Sequence, residues 1–362
     1  MAVGALALSA CGGGSNADGG SGSSTAGTAA GADYASLAGT ITAGGSSAQA
    51  NAQTAWIAGF KAQAAGVTVN YDKSQGSGGG VTNFTAGSYD FAGSDAYLGA
   101  DQASKAQGVC GTGGAVNLPV YLDGVSVVFN VKGVDKLQLS PDTIARIFNQ
   151  QIKTWDDPAI KADNPGVTLP GTAITTVTRS DGSGTTQNFT NYLHQVAPSV
   201  WTSPVSNKWP IAGSSAQQGG SGVVNTVKAG DGTIGYADHS GIGSLKSASI
   251  KAGNAYVDFS QDGVTKAVAT AVAPAKSTVP GDLAQDIDYT KLTRPDAYPI
   301  PLISYDILCT QFKDAKQAKL ATAYVGYIVS DQGQKIAAKN AGSAPLPAEL
   351  AAKIQDTLKK VS

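Results

Sequence analysis

From Gly39 onward, short apolar runs, small-residue turns and longer amphipathic stretches follow one another in a repeating order. Thr40-Ile41-Thr42 reads as a buried strand and Gly44-Gly45-Ser46-Ser47 as a turn. Residues 48–64 read as a helix, with Trp56 and Phe60 four apart on one apolar face. Val67-Thr68-Val69-Asn70-Tyr71 alternates as a second strand, Gly76-Ser77-Gly78-Gly79-Gly80 opens a second helix, and residues 89–95 read as a strand ending in a polar loop. The repeated unit of strand, small-residue turn and helix predicts a parallel α/β sheet, with ligand in the crevice beyond the carboxyl ends of the strands. Two strand-like runs, Asn117-Leu118-Pro119-Val120-Tyr121 and Val125-Ser126-Val127-Val128-Phe129-Asn130-Val131, mark a crossing into a second lobe. Ser140-Pro141-Asp142 then supplies the cap, first-position proline and first-turn acid of a helix that carries Ile144, Ile147 and Phe148 at core spacing. Ile174-Thr175-Thr176-Val177-Thr178 is a strand, 179–184 a turn, and 185–193 a helix with Phe189, Tyr192 and Leu193 inward. The return crossing falls near Tyr298-Pro299-Ile300-Pro301-Leu302, after which helices over 315–328 and 331–339 complete the first lobe.

Composition changes this picture mainly at the N-terminus. A chain of 362 residues accommodates two lobes or one large α/β unit. Its 46 glycines imply many tight turns, and Lys+Arg 25 against Asp+Glu 26 leaves no basic field for nucleic acid. The apolar run 2–10 ends in Leu8-Ser9-Ala10-Cys11 and is followed by a Gly/Ser/Ala tract. This resembles a bacterial lipoprotein signal whose lipobox ends at Cys11. The usual positive stretch is missing, which puts the true start upstream, and a disordered apolar tail is the alternative reading. Lipid on Cys11 would tether the chain to the outer face of the cytoplasmic membrane at roughly 0.8 kcal/mol per buried CH₂. Residues 12–36 have the composition of a flexible linker with a reach on the order of 30 Å. With Cys11 assigned to lipid, Cys110 and Cys309 remain. Outside the cytoplasm an isolated pair is expected to be bridged, two buried free thiols being the alternative.

The candidate chemistry is anion binding. Ser46-Ser47, Gly76-Ser77-Gly78-Gly79-Gly80 and Ser183-Gly184-Thr185 each place backbone N–H groups and hydroxyls at the start of a predicted helix, where unpaired donors and the helix dipole favour an anion. One such turn is commonplace, but Arg179 adds a planar fork of donors matched to phosphate oxygens, and Asp181 stands two residues away, able to hold that fork in place. The chemistry of an enzyme is poorly represented. His194 falls within a helix and His239 in a loop, neither beside a nucleophile, and no metal-ligand spacing or phosphate-binding Gly-x-x-x-x-Gly-Lys-Ser/Thr loop occurs. Gly230-Asp231-Gly232-Thr233-Ile234-Gly235 fits Gly-x-Gly-x-x-Gly but lies between a helix and a strand, the reverse of the dinucleotide-binding order. The expectation is therefore a binding protein with no catalysis, metal or cofactor.

Over most of 37–353 the sequence resembles the PstS-type phosphate-binding proteins of high-affinity phosphate ABC transporters. The likeness rests on Thr42-Ala43-Gly44-Gly45-Ser46-Ser47, Gly76-Ser77-Gly78-Gly79-Gly80-Val81, Ala92-Gly93-Ser94-Asp95, the stretch 139–149 with Ile152-Lys153-Thr154-Trp155, Arg179-Ser180-Asp181-Gly182-Ser183-Gly184-Thr185, and Gly232-Thr233-Ile234-Gly235-Tyr236. The resemblance implies a two-lobed periplasmic-binding-protein-like α/β fold of type II with two hinge crossings and ligand in the interlobe cleft. Lobe I would be 37–121 plus 302–362, and lobe II 122–301. It also implies phosphate ligands at Ser47, Ala48, Ser77, Asp95, Arg179, Ser183, Gly184 and Thr185, with Asp181 supporting Arg179. The implied partners are inorganic phosphate and ABC permease subunits with a cytoplasmic ATPase, and the receptor itself a monomer. The family commonly has Thr-Phe-Pro where this chain has Ser47-Ala48-Gln49, which keeps a hydroxyl and an N–H but loses an aromatic wall. Asp95 would accept a proton from phosphate, which sulfate lacks at neutral pH. The other readings are a receptor for another oxyanion, a phosphate-sensing or adhesive surface lipoprotein and, less favoured, a phosphatase.

Overall fold

The computed structural model describes residues 34–362; Cys11 and the linker up to residue 33 lie outside the described residues. Among these, a nine-stranded sheet runs in the order 66–72, 38–45, 91–94, 301–309, 115–130, 233–238, 175–179, 215–217, with Lys246–Ser247 paired to the side of 115–130. The expected parallel units are present at both ends. Ala38–Gly45 is parallel to Gly66–Asp72 and Phe91–Ser94, and Thr175–Arg179 is parallel to Thr233–Asp238 and Ser215–Gln217. The middle departs from expectation, because Pro301–Cys309 is antiparallel to both of its neighbours and Thr233–Asp238 is antiparallel to Ala115–Asn130, so the sheet is mixed.

The two strand-like runs at 117–121 and 125–131 form one 16-residue strand, Ala115–Asn130. Gly124 does not break it, because the Tyr298 ring packs over that position and a Cβ there would sit 2.7 Å from Tyr298 Cε1. The strand nevertheless serves two partners: Ala115 to Gly124 pair with Pro301–Cys309, and Val125 to Asn130 pair with Thr233–Asp238. The register against Pro301–Cys309 slips between Ser304 and Tyr305, which pair with Tyr121 and Pro119. Pro119 has no N–H to give the ladder, and the irregularity falls beside it.

Helices pack on both faces of the sheet. Trp56 and Phe60 of Ala50–Gln63 are buried, with Phe60 against Tyr324 and Tyr327 of Ala315–Ile328. The glycine run 76–80 lies inside its helix, Gly76–Thr85, rather than preceding it. Ser140 caps Pro141–Phe148 as read from sequence, its side chain accepting from Thr143 N–H. The C-terminal helices Ala315–Ile328 and Asp331–Ala341 are joined by a third, Ala348–Leu358, which the sequence reading did not include.

Cys110, the last residue of its helix, and Cys309, the last of its strand, are disulfide-bonded with Cα atoms 4.8 Å apart. The bridge closes a loop with a sequence separation of 199. Such a loop is worth about 5 kcal/mol in the chain-entropy model, of which substitutions commonly recover 2 to 5. Replacing both cysteines by serine should therefore lower the unfolding free energy by about 2 to 5 kcal/mol in urea titrations. An unchanged midpoint would show that the crosslink contributes nothing to stability.

Candidate functional site

The site lies where the carboxyl ends of strands from both halves of the sheet face each other. Thr175–Arg179 delivers Arg179, which is 3 % exposed. Behind it, Phe148, Phe189, Trp209 and Tyr236 form an aromatic cluster, and the Tyr236 hydroxyl accepts from Arg179 N–H at 3.3 Å while pairing with Thr186 Oγ1 at 2.7 Å. The strand end and the following helix are thereby pinned together. Asp181 grips the guanidinium through Nε at 2.7 Å and through one Nη, leaving the edge formed by the two Nη groups for other acceptors. Burial opposes charge on Arg179, but Asp181 outweighs it and holds the guanidinium above the ordinary arginine value. Burial likewise disfavours the Asp181 carboxylate, and Arg179 reverses the balance and keeps it below the usual range. Gly219 N–H gives Asp181 a further bond at 3.1 Å. The pair is sealed by Gly76, whose φ of +63° requires glycine and where a Cβ would collide with Asp181 Oδ2.

Ser183 caps the helix Gly184–Val196 by accepting from Thr186 N–H at 3.1 Å. Gly184 and Thr185, the first two helical residues, have N–H groups without an intrahelical acceptor, and these point out of the helix start. The facing turn brings Asp95, 3 % exposed. Its Oδ1 accepts from Ser46 Oγ and, at 2.7 Å, from Ser304 Oγ; its Oδ2 accepts from Thr185 Oγ1 at 3.0 Å. Its backbone carbonyl accepts from Asn188 Nδ2 at 2.6 Å, and its N–H donates to Ser77 Oγ at 3.2 Å. Ser47 Oγ accepts from Gly220 N–H at 3.2 Å, and Ala48 N–H donates to Ser46 Oγ at 3.1 Å.

All eight proposed ligand positions and Asp181 therefore fall in one cluster, with Ser47, Ala48, Ser77 and Asp95 on one side and Arg179, Ser183, Gly184 and Thr185 on the other. The sequence reading placed Ser46 in an anion-binding turn but not among the ligands, and it missed Ser304, Asn188 and Gly220, which bond Asp95 or Ser47. Ser304 had a signal, being polar within the apolar run Pro301–Cys309, and Asn188 stands one helical turn after Gly184, whose carbonyl it also bonds at 2.9 Å. His194 and His239 stay outside the cluster. His239 stacks on Phe259 and bonds Ser126 through Nδ1, and burial pushes its imidazole down to about 4.

Residues 24–332 match the PBP superfamily domain. The chain is 35 % identical to Phosphate-binding protein PstS 3 of Mycobacterium tuberculosis, over all of this chain and 97 % of that one. The chain belongs to the PstS family of the PBP superfamily. Phosphate-binding protein PstS2 of Mycobacterium bovis is 34 % identical over 100 % of this chain and 97 % of its own length. Among solved structures, the high-affinity periplasmic phosphate-binding protein PfluDING, bound with phosphate, superposes with a TM-score of 0.70 at 21 % identity, covering 88 % of this chain and 93 % of that one. A phosphate-binding protein from Stenotrophomonas maltophilia gives 0.66 at 20 % identity, covering 88 % and 94 %. The fold is the two-lobed mixed α/β architecture of this family.

The two sides also approach closely at Gly184, where a Cβ would lie 2.8 Å from Asp95 Cβ and 2.8 Å from Ser77 Oγ. Gly78 N–H also bonds Gly182 carbonyl across the cleft at 2.8 Å. Gly184→Ala should keep the fold and prevent this approach, weakening anion binding by at least about tenfold with little change in thermal midpoint. Calorimetry and a melting curve on the same sample check it, and undiminished affinity would mean that close approach at Gly184 is dispensable.

Proposed function

We propose that this chain is a receptor that binds inorganic phosphate in the interlobe cleft and delivers it to an ABC permease for import. The observation that carries this reading is the buried Asp95 carboxylate, set among hydroxyls and helix N-termini and facing Arg179 across the cleft. A ligand seated there meets hydrogen-bond donors from the Gly184 and Gly76 helices and one edge of a guanidinium. It also meets an acceptor that a fully ionised oxyanion cannot satisfy. Phosphate carries a proton for Asp95; sulfate does not.

On this reading the ligands are Ser47, Ala48, Ser77 and Asp95 from lobe I (37–121 plus 302–362), with Arg179, Ser183, Gly184 and Thr185 from lobe II (122–301). Asp181 orients Arg179. The two crossings near 122 and 301 act as hinges, and anion binding favours the closed arrangement because its donors come from both sides. The receptor works as a monomer on the outer face of the cytoplasmic membrane, tethered through lipid on Cys11, and hands its cargo to permease subunits driven by a cytoplasmic ATPase. It catalyses nothing and needs no cofactor.

Isothermal titration of residues 34–362 with phosphate and sulfate tests the reading: phosphate should bind and sulfate should not, and the reverse order would replace phosphate with another oxyanion. Asp95→Asn should narrow the phosphate-to-sulfate preference by about 10- to 100-fold, because an amide donates where the carboxylate only accepts. Arg179→Ala should raise the phosphate Kd by at least about 100-fold, partly through lost contacts and partly because Asp181 is left buried without its partner. Near-native affinity in that variant would remove Arg179 from the site.

A further inference from the structure

A second buried carboxylate borders this cluster and has no role in the reading above. Asp238 ends the buried strand Thr233–Asp238 and is 3 % exposed. Its Oδ2 accepts from Ser240 Oγ at 2.9 Å, and that hydroxyl also lies 3.4 Å from the Ala48 carbonyl. Its Oδ1 faces the start of the helix Gly219–Ala229, where a Cβ on Gly220 would be 3.0 Å from Asp238 Oδ1 and 3.5 Å from Ser47 Oγ. The bare Gly220 backbone thus leaves Asp238 and the Ser47 hydroxyl bordering one small space. The charged and titratable groups that act on Asp238 come from several elements: Asp95 from the opposite lobe, Arg179 from the neighbouring strand, and Asp123 and Tyr121 from the long central strand. His239, next in sequence, is turned toward Ser126 and Phe259.

Resting on the phosphate reading, we propose that Asp238 is a second acidic wall of the anion site, which makes the site take up one additional proton with the bound anion. HPO₄²⁻ has a single O–H, and Asp95 takes it. A further carboxylate beside the anion is an acceptor facing an acceptor unless another proton is present, either on the anion as H₂PO₄⁻ or on Asp238 as a neutral acid that donates to a phosphate oxygen. Both placements balance in the same way: one proton enters from solvent and the loaded site becomes one unit less negative. Burial, reinforced by Asp95 and offset by Ser240 and Arg179, already pushes the Asp238 carboxyl up to about 6, and an incoming anion raises it further. A group whose pKa rises on binding makes binding tighter at low pH and weaker at high pH. Affinity for phosphate should therefore fall as pH rises above neutrality.

Calorimetry of the full chain with inorganic phosphate at about pH 8.5, in two buffers of different ionisation enthalpy, counts the protons directly and needs no variant. About one proton taken up is expected. The phosphate Kd should weaken toward about tenfold per pH unit on the alkaline side, and Asp238→Asn, which keeps an acceptor for Ser240, should flatten that slope and bind about tenfold or more tightly at the highest pH. Phosphate binding without proton uptake, or an Asp238→Asn slope equal to the wild type in a folded variant, overturns the role of Asp238 while leaving the phosphate reading intact. Failure of the wild-type protein to bind phosphate at any pH removes the phosphate reading and this inference together.

Discussion

The rest of the site depends on the need to satisfy the buried carboxylate of Asp95. An acid withdrawn from water must be hydrogen-bonded, and each donor has to be brought from elsewhere in the chain. Ser46 comes from the first strand-to-helix turn, Ser304 from the strand that returns near the end of the chain, and Thr185 from the facing lobe. Two of these donors make Asp95 part of lobe I. The third makes it a latch, because Thr185 belongs to the helix Gly184–Val196 on the other side of the cleft. Asn188, which bonds the Asp95 carbonyl, adds to the same latch. The proposed proton acceptor for the ligand is thus also a junction between the two sides of the cleft.

Arg179 is held by a different logic. A guanidinium as buried as this needs a carboxylate, and Asp181 supplies one on a two-residue turn that costs little chain entropy. The aromatic cluster beneath fixes the strand end, and Tyr236 couples Arg179 to the first turn of the Gly184 helix through Thr186. The guanidinium and the helix N-terminus are therefore held as one unit, as a pre-organised grip requires.

The repeating strand-turn-helix pattern made the outer thirds of the sheet legible in the sequence, and the Ser140 cap and the 315–328 helix were read close to their observed bounds. The centre was not. Gly124 looks like a break because glycine weakens strands, yet packing by Tyr298 overrides that local preference. The antiparallel placement of Pro301–Cys309 depends on which neighbours the returning chain meets, and periodicity does not encode that. Candidate-site residues lying in glycine- and serine-rich turns could be proposed from sequence, because turn chemistry is local. Those within regular elements were hidden among core positions. Ser304 and Asp306 interrupt an apolar strand and were the visible hint. Ser304 proves to bond Asp95, while Asp306 is buried, and burial, offset in part by Gln49, pushes it up to about 8. Burial favours its neutral form, which suits an apolar run.

The charges at the site argue against simple attraction as the source of anion binding. Arg179 contributes one positive charge, and Asp181 cancels it at hydrogen-bonding distance. Asp95 and Asp238 then stand nearby, and among the described residues neither forms an ion pair. Attraction must come from oriented dipoles: unpaired N–H groups at helix starts and hydroxyls that can turn their protons toward an oxygen. A site of this kind gains little from the ligand's total charge and much from where the ligand's protons are. On the proposed reading each carboxylate demands one proton from the complex, so the number of protons on the anion, rather than its size or valence, is the property the site would read. Two oxyanions of nearly equal shape are then separated by chemistry that a purely cationic pocket could not detect.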